Sequence, residues 1–443
     1  MVFRPELSWE FLSADEITAK GIRAVRNHVR HVKEASPYYR ETLSQVEPDD
    51  LQTAEDISKL PCTDKQTIAR RTRDFRAVSL EHIVETVVTS GSTGKELMVS
   101  LTASDLDRLA FNEALSFHGA GVAGSDTAHI FTSLDRLFIA GMAYYRGLSE
   151  LGVNTCRIGV LPPRMQMHYL RLLPPTVIVG VPSFLRKLAH QLNDEGFDTR
   201  TAGITRIFCI GESLRSRDMS LNALGNSLEE LYRAQVFSTY GQTELQVAYC
   251  ECTALCGGHA HPELVYTEIV DEEGRPVADG TPGELVATPL GVEGMPLLRY
   301  RTGDITFKIS ETCGCGRNSC RIGPILARKA QLIKWEGTSV YPPAITNALD
   351  EFDEIEDYVI ELKSDSTQSD YVAVHAAVAP DMVPSISERV RANARVTIPI
   401  LVSNAKTIES LRGAGRKKVK VVDLRKNPGS VGSATPATPD PSA

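Results

Sequence analysis

No apolar stretch in this chain approaches the ~20 residues needed to cross a bilayer; the longest, such as Thr176–Val181 and Tyr371–Val378, fall far short. The opening residues, Met1–Phe11, carry no signal-peptide core, so the chain reads as cytoplasmic and without a membrane partner. Positive charge is in deficit. With 48 Lys+Arg against 56 Asp+Glu the net charge is −8, which argues against nucleic acid as a partner. Disordered and fibrous classes do not fit 42% hydrophobic and 23% charged residues. Nine cysteines are few for a disulfide scaffold of 443 residues. No internal repeat is present, and the length exceeds what a single core supports, so a large domain and at least one smaller one are expected.

What is present begins with a helix. Ser13 and Glu16 have capping-box spacing, and Ile17, Ile22, Val25, Val29 and Val32 recur at helical intervals up to Ala35-Ser36-Pro37. Short apolar strands then alternate with amphipathic stretches. Ile83–Val88 runs into a Gly-rich loop, Thr176–Val181 into a helix with Leu185, Leu188, Ala189 and Leu192 on one face, and Ile204–Ile210 into Gly211-Glu212-Ser213. This order predicts an α/β sheet with crossover helices. After residue 262, Glu273-Gly274 and Asp279-Gly280 mark hairpin turns between Leu264–Val270 and Gly283–Ala287, predicting a β-rich subdomain. From Leu332 to Arg425 the pattern predicts a small α+β domain: helix Pro343–Leu349, strands Tyr358–Leu362 and Tyr371–Val378, helix Ser385–Ala394 and a last strand Ile398–Leu401. Residues 426–443 are rich in Pro, Ser, Ala and Thr and read as a disordered tail.

Three segments carry phosphate chemistry. Thr89-Ser90-Gly91-Ser92-Thr93-Gly94-Lys95 follows a strand with glycines and hydroxyls that can surround phosphate oxygens. It is no Walker loop, because Gly91 and Gly94 are too close and Glu96 follows Lys95. Tyr240-Gly241-Gln242-Thr243-Glu244 follows the strand-like Ala234–Phe237 and offers a ring, a hydroxyl and a carboxylate within one turn, enough to stack a purine, touch phosphate and hold Mg2+. Tyr300-Arg301-Thr302-Gly303-Asp304 ends a β segment with a carboxylate suited to both hydroxyls of a ribose.

With these motifs in this order, and KKVKVVDLR (417–425) at the end, the chain from Tyr38 to Arg425 resembles the adenylate-forming acyl-CoA synthetase superfamily, in its phenylacetate–CoA ligase branch. The resemblance implies a large N-terminal adenylation domain, 1–328, and a small mobile α+β domain, 329–425. It implies that Ser90, Gly91, Ser92, Thr93, Gly94 and Lys95 hold the β- and γ-phosphates of ATP. Thr243 would touch the α-phosphate and Glu244 bind Mg2+; Gly211, Glu212, Tyr240 and Gly241 would flank adenine, and Asp304 and Arg328 would hold the ribose. Lys417 aligns with the family's catalytic lysine; physically, a cation there offsets the charge that builds when a carboxylate attacks the α-phosphate. Arg416, Lys417, Lys418 and Lys420 also read simply as a solvated basic run. The chain departs from the family at the domain junction, where Ala330 in Ala327-Arg328-Lys329-Ala330-Gln331 occupies the position of an aspartate pivot and leaves Lys329 as the nearest substitute. Residues 337–342, GTSVYP, resemble the segment facing the thiol tunnel of CoA ligases.

The activity implied is an acid–CoA ligase that forms an acyl-adenylate and then a thioester with coenzyme A, acting on an aryl or arylacetic acid. The alternative is transfer of the acyl group to an amine, and a homodimer is the assembly expected. Phe138–Gly141 sits where the family lines its acyl pocket. Separately, Cys250, Cys252, Cys256, His259 and His261 precede the hairpins and Cys313, Cys315 and Cys320 follow them, so two knuckles can meet across a metal-bearing β-subdomain of about 250–325. A histidine among thiols and no Cys-x2-Cys run favour structural zinc over iron–sulfur. Cys252, His259, Cys313 and Cys315 are the first choice among these eight candidates. Cys62, Cys156 and Cys209 read as core thiols.

Overall fold

Ser13 Oγ accepts from Glu16 N at 3.3 Å, and Glu16 Oε2 accepts from Ser13 N at 3.0 Å. This reciprocal cap starts α1 (Ala14–Ala35), which buries Val25, Val29 and Val32 completely. The computed structural model describes residues 8–89, 97–329, 333–335, 338–340, 342–364, 370–394, 396–413 and 419–425. They belong to two compact units that divide between Lys329 and Ala330.

In the larger unit, β1 (Thr63–Asp64) and a hairpin of β2 (Glu85–Val88) and β3 (Met98–Leu101) lead into an alternating series. It runs α2 (Ala103–Gly119), β4 (Thr127–Ile130), α3 (Ile139–Glu150), β5 (Asn154–Arg157), α4 (Pro163–Leu172), β6 (Val177–Gly180), α5 (Pro182–Asp194), β7 (Arg206–Ile210), α6 (Ala223–Tyr232) and β8 (Gln235–Gln242). Strands then follow one another: β9 (Val247–Glu251), β10 (Gly258–His259), β11 (Val265–Val270), β12 (Gly283–Pro289), β13 (Tyr300–Thr306), β14 (Lys308–Ile309), β15 (Arg321–Ile322) and β16 (Ala327–Arg328). One sheet has the order β14-β15-β10-β9-β8-β7-β6-β4-β5, with β4 to β8 parallel as the crossover pattern predicts. Every residue of β6 is buried, because helices cover both faces of a parallel sheet. A second sheet has the order β1-β13-β12-β11, with β16 against β13. Gly274 (φ 84°) and Gly280 (φ 74°) take left-handed conformations in the connection between β11 and β12, where both turns were expected.

Three local expectations need correction. Ile83–Val88, read as part of the α/β series, gives β2, which pairs antiparallel with β3 in a two-stranded sheet apart from the large one. The Tyr240 motif is not one turn, since β8 continues through Gln242 and only Thr243 and Glu244 turn. The Tyr300 motif does not end a strand but begins β13. In both places pairing with a neighbour extends the strand beyond its apolar run: Tyr240 registers with Tyr249 and Gln242 with Val247 across β8–β9, and Tyr300 with Ala287 across β12–β13.

The smaller unit contains β17 (Ile333–Trp335), β18 (Thr338–Val340), α7 (Pro342–Leu349), β19 (Asp357–Ser364), β20 (Asp370–Ala377), α8 (Val383–Ala394), β21 (Ile400–Val402), α9 (Ala405–Arg412) and β22 (Val421–Asp423). Its main sheet has the order β21-β20-β19-β22, and Ile360, Leu362, Val372, Val374, Ile386 and Val390 form its fully buried core. Helix α9 and strand β22 were not expected; α9 buries only Ile408, and β22 is half-buried throughout. Among the described residues no helix is long and apolar enough to cross a membrane.

Candidate functional site

Asp304 on β13 is 1% exposed, and three side chains converge on its carboxylate. Tyr240 donates its hydroxyl to Oδ2 at 2.9 Å, Gln242 its Nε2 to the same oxygen at 2.6 Å, and Arg328 its Nε to Oδ1 at 3.0 Å. Backbone register delivers Arg328, because β16 pairs with β13 so that Asp304 and Arg328 are opposite. Tyr240 and Gln242 arrive together because alternate residues of β8 share a face. Burial, then the Asp304 charge, push the Tyr240 phenol well above its usual range, so it remains a donor.

Glu244, just beyond β8, is 5% exposed and lies 3.0 Å from Lys65 Nζ. Lys65 opens a short helix, Lys65–Arg70, whose start Asp64 caps by accepting from Thr67 N at 2.7 Å. Tyr300 joins the two carboxylates: burial first, then Glu244 and Asp304, raise its phenol well above the ordinary value. Glu244 and Asp304 therefore belong to one site. A side chain at Gly241 would bring its Cβ within 3.1 Å of Val247 O, which accounts for the glycine. Gly211 (φ 88°) follows β7 beside Tyr240, since Ile210 registers with Thr239. The Glu212 carboxylate accepts from Ser183 N at 2.8 Å and Ser183 Oγ at 2.9 Å, at the start of α5. Ser90–Lys95 lie outside the described residues; Thr89 and Leu97 on either side are bonded through Thr89 N to Leu97 O at 2.9 Å. Lys417 and Ala330 also lie outside them. Lys329 is ion-paired to Glu284 at 3.2 Å, as is Arg301 at 2.9 Å.

The structure brings Cys252, His259, Cys313 and Cys315 together, with one ligand atom from each within 4.8 Å of the others. Cys252 Sγ to Cys313 Sγ is 3.6 Å, and Cys315 Sγ to His259 Nε2 is 3.6 Å. Tetrahedral zinc with ordinary bond lengths needs donor separations of about 3.6–3.8 Å, so the donor set fits that ion. Burial pushes the His259 imidazole down to about 3, leaving it neutral, as ligation requires. Its other nitrogen, Nδ1, lies 3.0 Å from Ser319 Oγ, which donates to Glu10 at 3.4 Å. Glu10 is fully buried and also meets His261 at 3.2 Å and Arg317 at 3.1 Å, an outer shell of the kind that orients a ligating ring. Three of the remaining candidates have other partners: Cys250 accepts from Thr239 Oγ1 at 3.3 Å, His261 lies 3.0 Å from Ser116 Oγ, and Cys256 accepts from Arg321 Nη1 at 2.6 Å, although Cys256 Sγ is also 3.7 Å from Cys313. Of the three thiols read as core, Cys209 is fully buried, and Cys62 and Cys156 are half-buried.

Sequence reasoning missed Lys65, Gln242, Glu284 and Glu10. Gln242 lay inside a recognised motif, and its place two residues from Tyr240 on a strand was the signal. Lys65, Glu284 and Glu10 sit in no motif, and only the fold brings them to their partners.

The family model for AMP-binding enzymes matches residues 14–292, more than half of the chain. A phenylacetate-coenzyme A ligase of Thermus thermophilus is 27% identical over 96% of this chain and 100% of that protein. One of Escherichia coli is 25% identical over 94% and 97%, and one of Pseudomonas putida 29% identical over 76% of each. In fold, the chain is similar to a 2-hydroxyisobutyryl-CoA ligase in complex with 2-HIB-AMP, with a TM-score of 0.82 at 21% identity over 94% of this chain and 91% of that one. ATP-bound MatB from Rhodopseudomonas palustris gives a TM-score of 0.59 at 16% identity over 79% and 69%. The chain belongs to the AMP-binding enzyme family, the adenylate-forming superfamily, within its phenylacetate–CoA ligase-like branch.

Proposed function

We propose that this protein is an ATP- and Mg2+-dependent acid ligase that forms an acyl-adenylate with release of pyrophosphate and then passes the acyl group to coenzyme A, with an aryl or arylacetic acid as substrate. The observation that carries the reading is the convergence of Tyr240, Gln242 and Arg328 on Asp304, in one site with Glu244. Asp304 and Arg328 take the ribose, Tyr240 and Gly211 the adenine, Thr243 the α-phosphate, and Ser90–Lys95 the outer phosphates. Glu244 suits Mg2+ because its buried carboxylate already holds a cation, the Lys65 ammonium. Bound there, the ion offsets phosphate charge and orients the triphosphate.

Attack of a carboxylate on the α-phosphate brings two anions together, and the α–β phosphoanhydride bond breaks as pyrophosphate leaves. Charge stabilisation is thus the main task for the protein, and Lys417 is its cation. The thiol of coenzyme A then displaces AMP from the mixed anhydride. The Cys252, His259, Cys313 and Cys315 set holds a structural zinc, because four protein donors leave no position open for substrate.

Mass spectrometry of products formed from ATP, coenzyme A and a pool of aromatic acids tests the reading, with adenylate and thioester expected; an absence of both removes it. Lys417→Ala should abolish acid-dependent ATP–pyrophosphate exchange while ATP still binds, and normal exchange would remove the residue's role. Ala330 at the family's pivot position favours one second reading, an amine acceptor. Faster AMP release with a panel of amines than with coenzyme A would select it.

A further inference from the structure

Cys256 stands outside the four-donor set, yet its Sγ lies 3.7 Å from Cys313 Sγ, almost as close as Cys252 Sγ at 3.6 Å. A thiol outside the set thus touches one inside it. Cys252 and Cys313 are buried, at 1% and 3% exposure, whereas Cys256 is partly exposed and open to small solutes.

The contact is built into the backbone. Leu255 (φ 53°) and Gly257 (φ 106°), on either side of Cys256, both take left-handed conformations, and Leu255 N donates to Cys252 O at 2.9 Å, so the chain folds back sharply at this thiol. A side chain at Gly257 would bring its Cβ within 2.8 Å of Ile322 O, which sets the turn tightly against β15. Arg321 of β15, opposite His259 of β10, donates Nη1 to Cys256 O at 2.7 Å and to Cys256 Sγ at 2.6 Å, and Nη2 to Glu311 O at 2.9 Å. The second knuckle closes on itself: Cys313 N donates to Arg317 O and Gly316 N to Cys313 O, each at 2.9 Å. One guanidinium therefore ties the Cys256 turn to the segment that leads into Cys313. Bonded disulfide sulfurs are ~2.0 Å apart, so the pair must close by about 1.7 Å. An exposed thiol poised beside a second one is the arrangement that turns oxidation into a disulfide.

We infer that Cys256 is a site of oxidation by hydroperoxides, which Cys313 captures as a disulfide, so that the four-donor set gives up its metal. The inference rests on the zinc reading of Cys252, His259, Cys313 and Cys315. Cys256 Sγ attacks one oxygen of hydrogen peroxide; the O–O bond breaks, water leaves with the thiol proton, and a sulfenic acid remains. The Cys313 thiolate then attacks that sulfur instead of binding metal, an S–S bond forms and hydroxide departs. Two electrons have passed from the two sulfurs to the peroxide. Cys252, His259 and Cys315 are left, one donor short of a tetrahedral set, and no longer hold the ion.

The test treats the full chain, its zinc content first measured by elemental analysis, with a small excess of hydrogen peroxide. A chromogenic chelator follows released zinc, and mass spectrometry of peptides from alkylated protein maps the disulfides. The wild type should form the Cys256–Cys313 linkage first and release zinc at the same rate, and a phosphine reductant with added zinc should restore the metal. Cys256→Ser, which keeps an acceptor for Arg321, should release zinc at least about tenfold more slowly. Because the linkage is read in the wild type, a serine variant that fails to fold still leaves a decisive measurement. A first linkage that omits Cys256, zinc release ahead of any linkage, equal release rates in the two proteins, or a linkage that reductant and zinc do not reverse overturns the inference and leaves the zinc site standing. Protein that holds no zinc at the outset, even after incubation with the ion, removes the zinc reading itself, and this assignment with it.

Discussion

Lys65 Nζ lies 3.0 Å from Glu244 Oε1, joining the start of a short helix to the carboxylate proposed to bind Mg2+. Glu244 is 5% exposed and Lys65 contributes the neutralising charge. A buried carboxylate needs a cation, and in the absence of metal the lysine is that cation. Glu244→Gln should raise the Mg2+ concentration for half-maximal pyrophosphate exchange by about tenfold or more, since one charged ligand is lost. Lys65→Met should lower the Mg2+ concentration for half-maximal activity, because the competing cation is gone. Mg2+ titrations at saturating ATP decide both, and two unchanged midpoints would remove Glu244 from the metal site.

Asp304 gathers Tyr240, Gln242 and Arg328, so changing it disturbs three donors at once. Asp304→Asn keeps the shape but removes the charge opposite Arg328 and substitutes a donor for an acceptor on one side. ATP affinity measured by calorimetry should fall about tenfold or more, equivalent to about 1.4 kcal/mol. Gln242→Leu should weaken binding less, since it removes one of the three bonds. A Kd within twofold of the wild type for Asp304→Asn would detach this cluster from the nucleotide.

Much of this was legible before the fold. The helical cap at Ser13 and the strands β6 to β8 of the parallel series follow from local patterns, whereas the meeting of Asp304 with Arg328 was implied only by the family resemblance. The two Cys/His knuckles were legible as a candidate metal region, but spacing did not choose among its eight candidates; the approach of Cys252, His259, Cys313 and Cys315 depends on β9 and β15 flanking β10. What escaped were partners set by tertiary approach. Lys65 and Glu244 are far apart in sequence, and neither the apolar period nor a motif relates them. Strand ends were misplaced for the same reason: pairing to β9 and β12 carries β8 and β13 through residues whose own propensities mark a turn.

The metal-ligand reading is tested by composition and by stability. Elemental analysis of the purified protein should give one zinc per chain, and Cys313→Ser should lower that to near zero. Loss of a structural ion should reduce the Tm by roughly 5 °C or more, as several kcal/mol of binding energy is removed. Cys256→Ser, which replaces a thiol held by Arg321, should retain the metal. Full retention in Cys313→Ser would exclude this ligand set.

Glu113 of α2 is buried, and among the described residues its only hydrogen bond is a 3.4 Å contact from Asn112 and no cation pairs with it, while Tyr144 of α3 and Cys250 of β9 face it. Burial pushes its carboxyl from 4.5 up to about 8, so the folded protein carries it protonated at neutral pH. A raised carboxyl contributes stability that is fully present below pH 4.5 and is lost as the pH rises through about 8. The gap corresponds to a loss on the order of 5 kcal/mol once the pH exceeds the folded value. Glu113→Gln has nearly the same shape and no titration, so its Tm should gain on that of the wild type steadily between pH 5 and 8 and level off above. Parallel Tm curves for the two proteins across that window would show that Glu113 is solvated or paired in solution, and its neighbours Gly147 and Tyr144 would then have to be packed more loosely than the close approach of Gly147 to the Glu113 side chain allows.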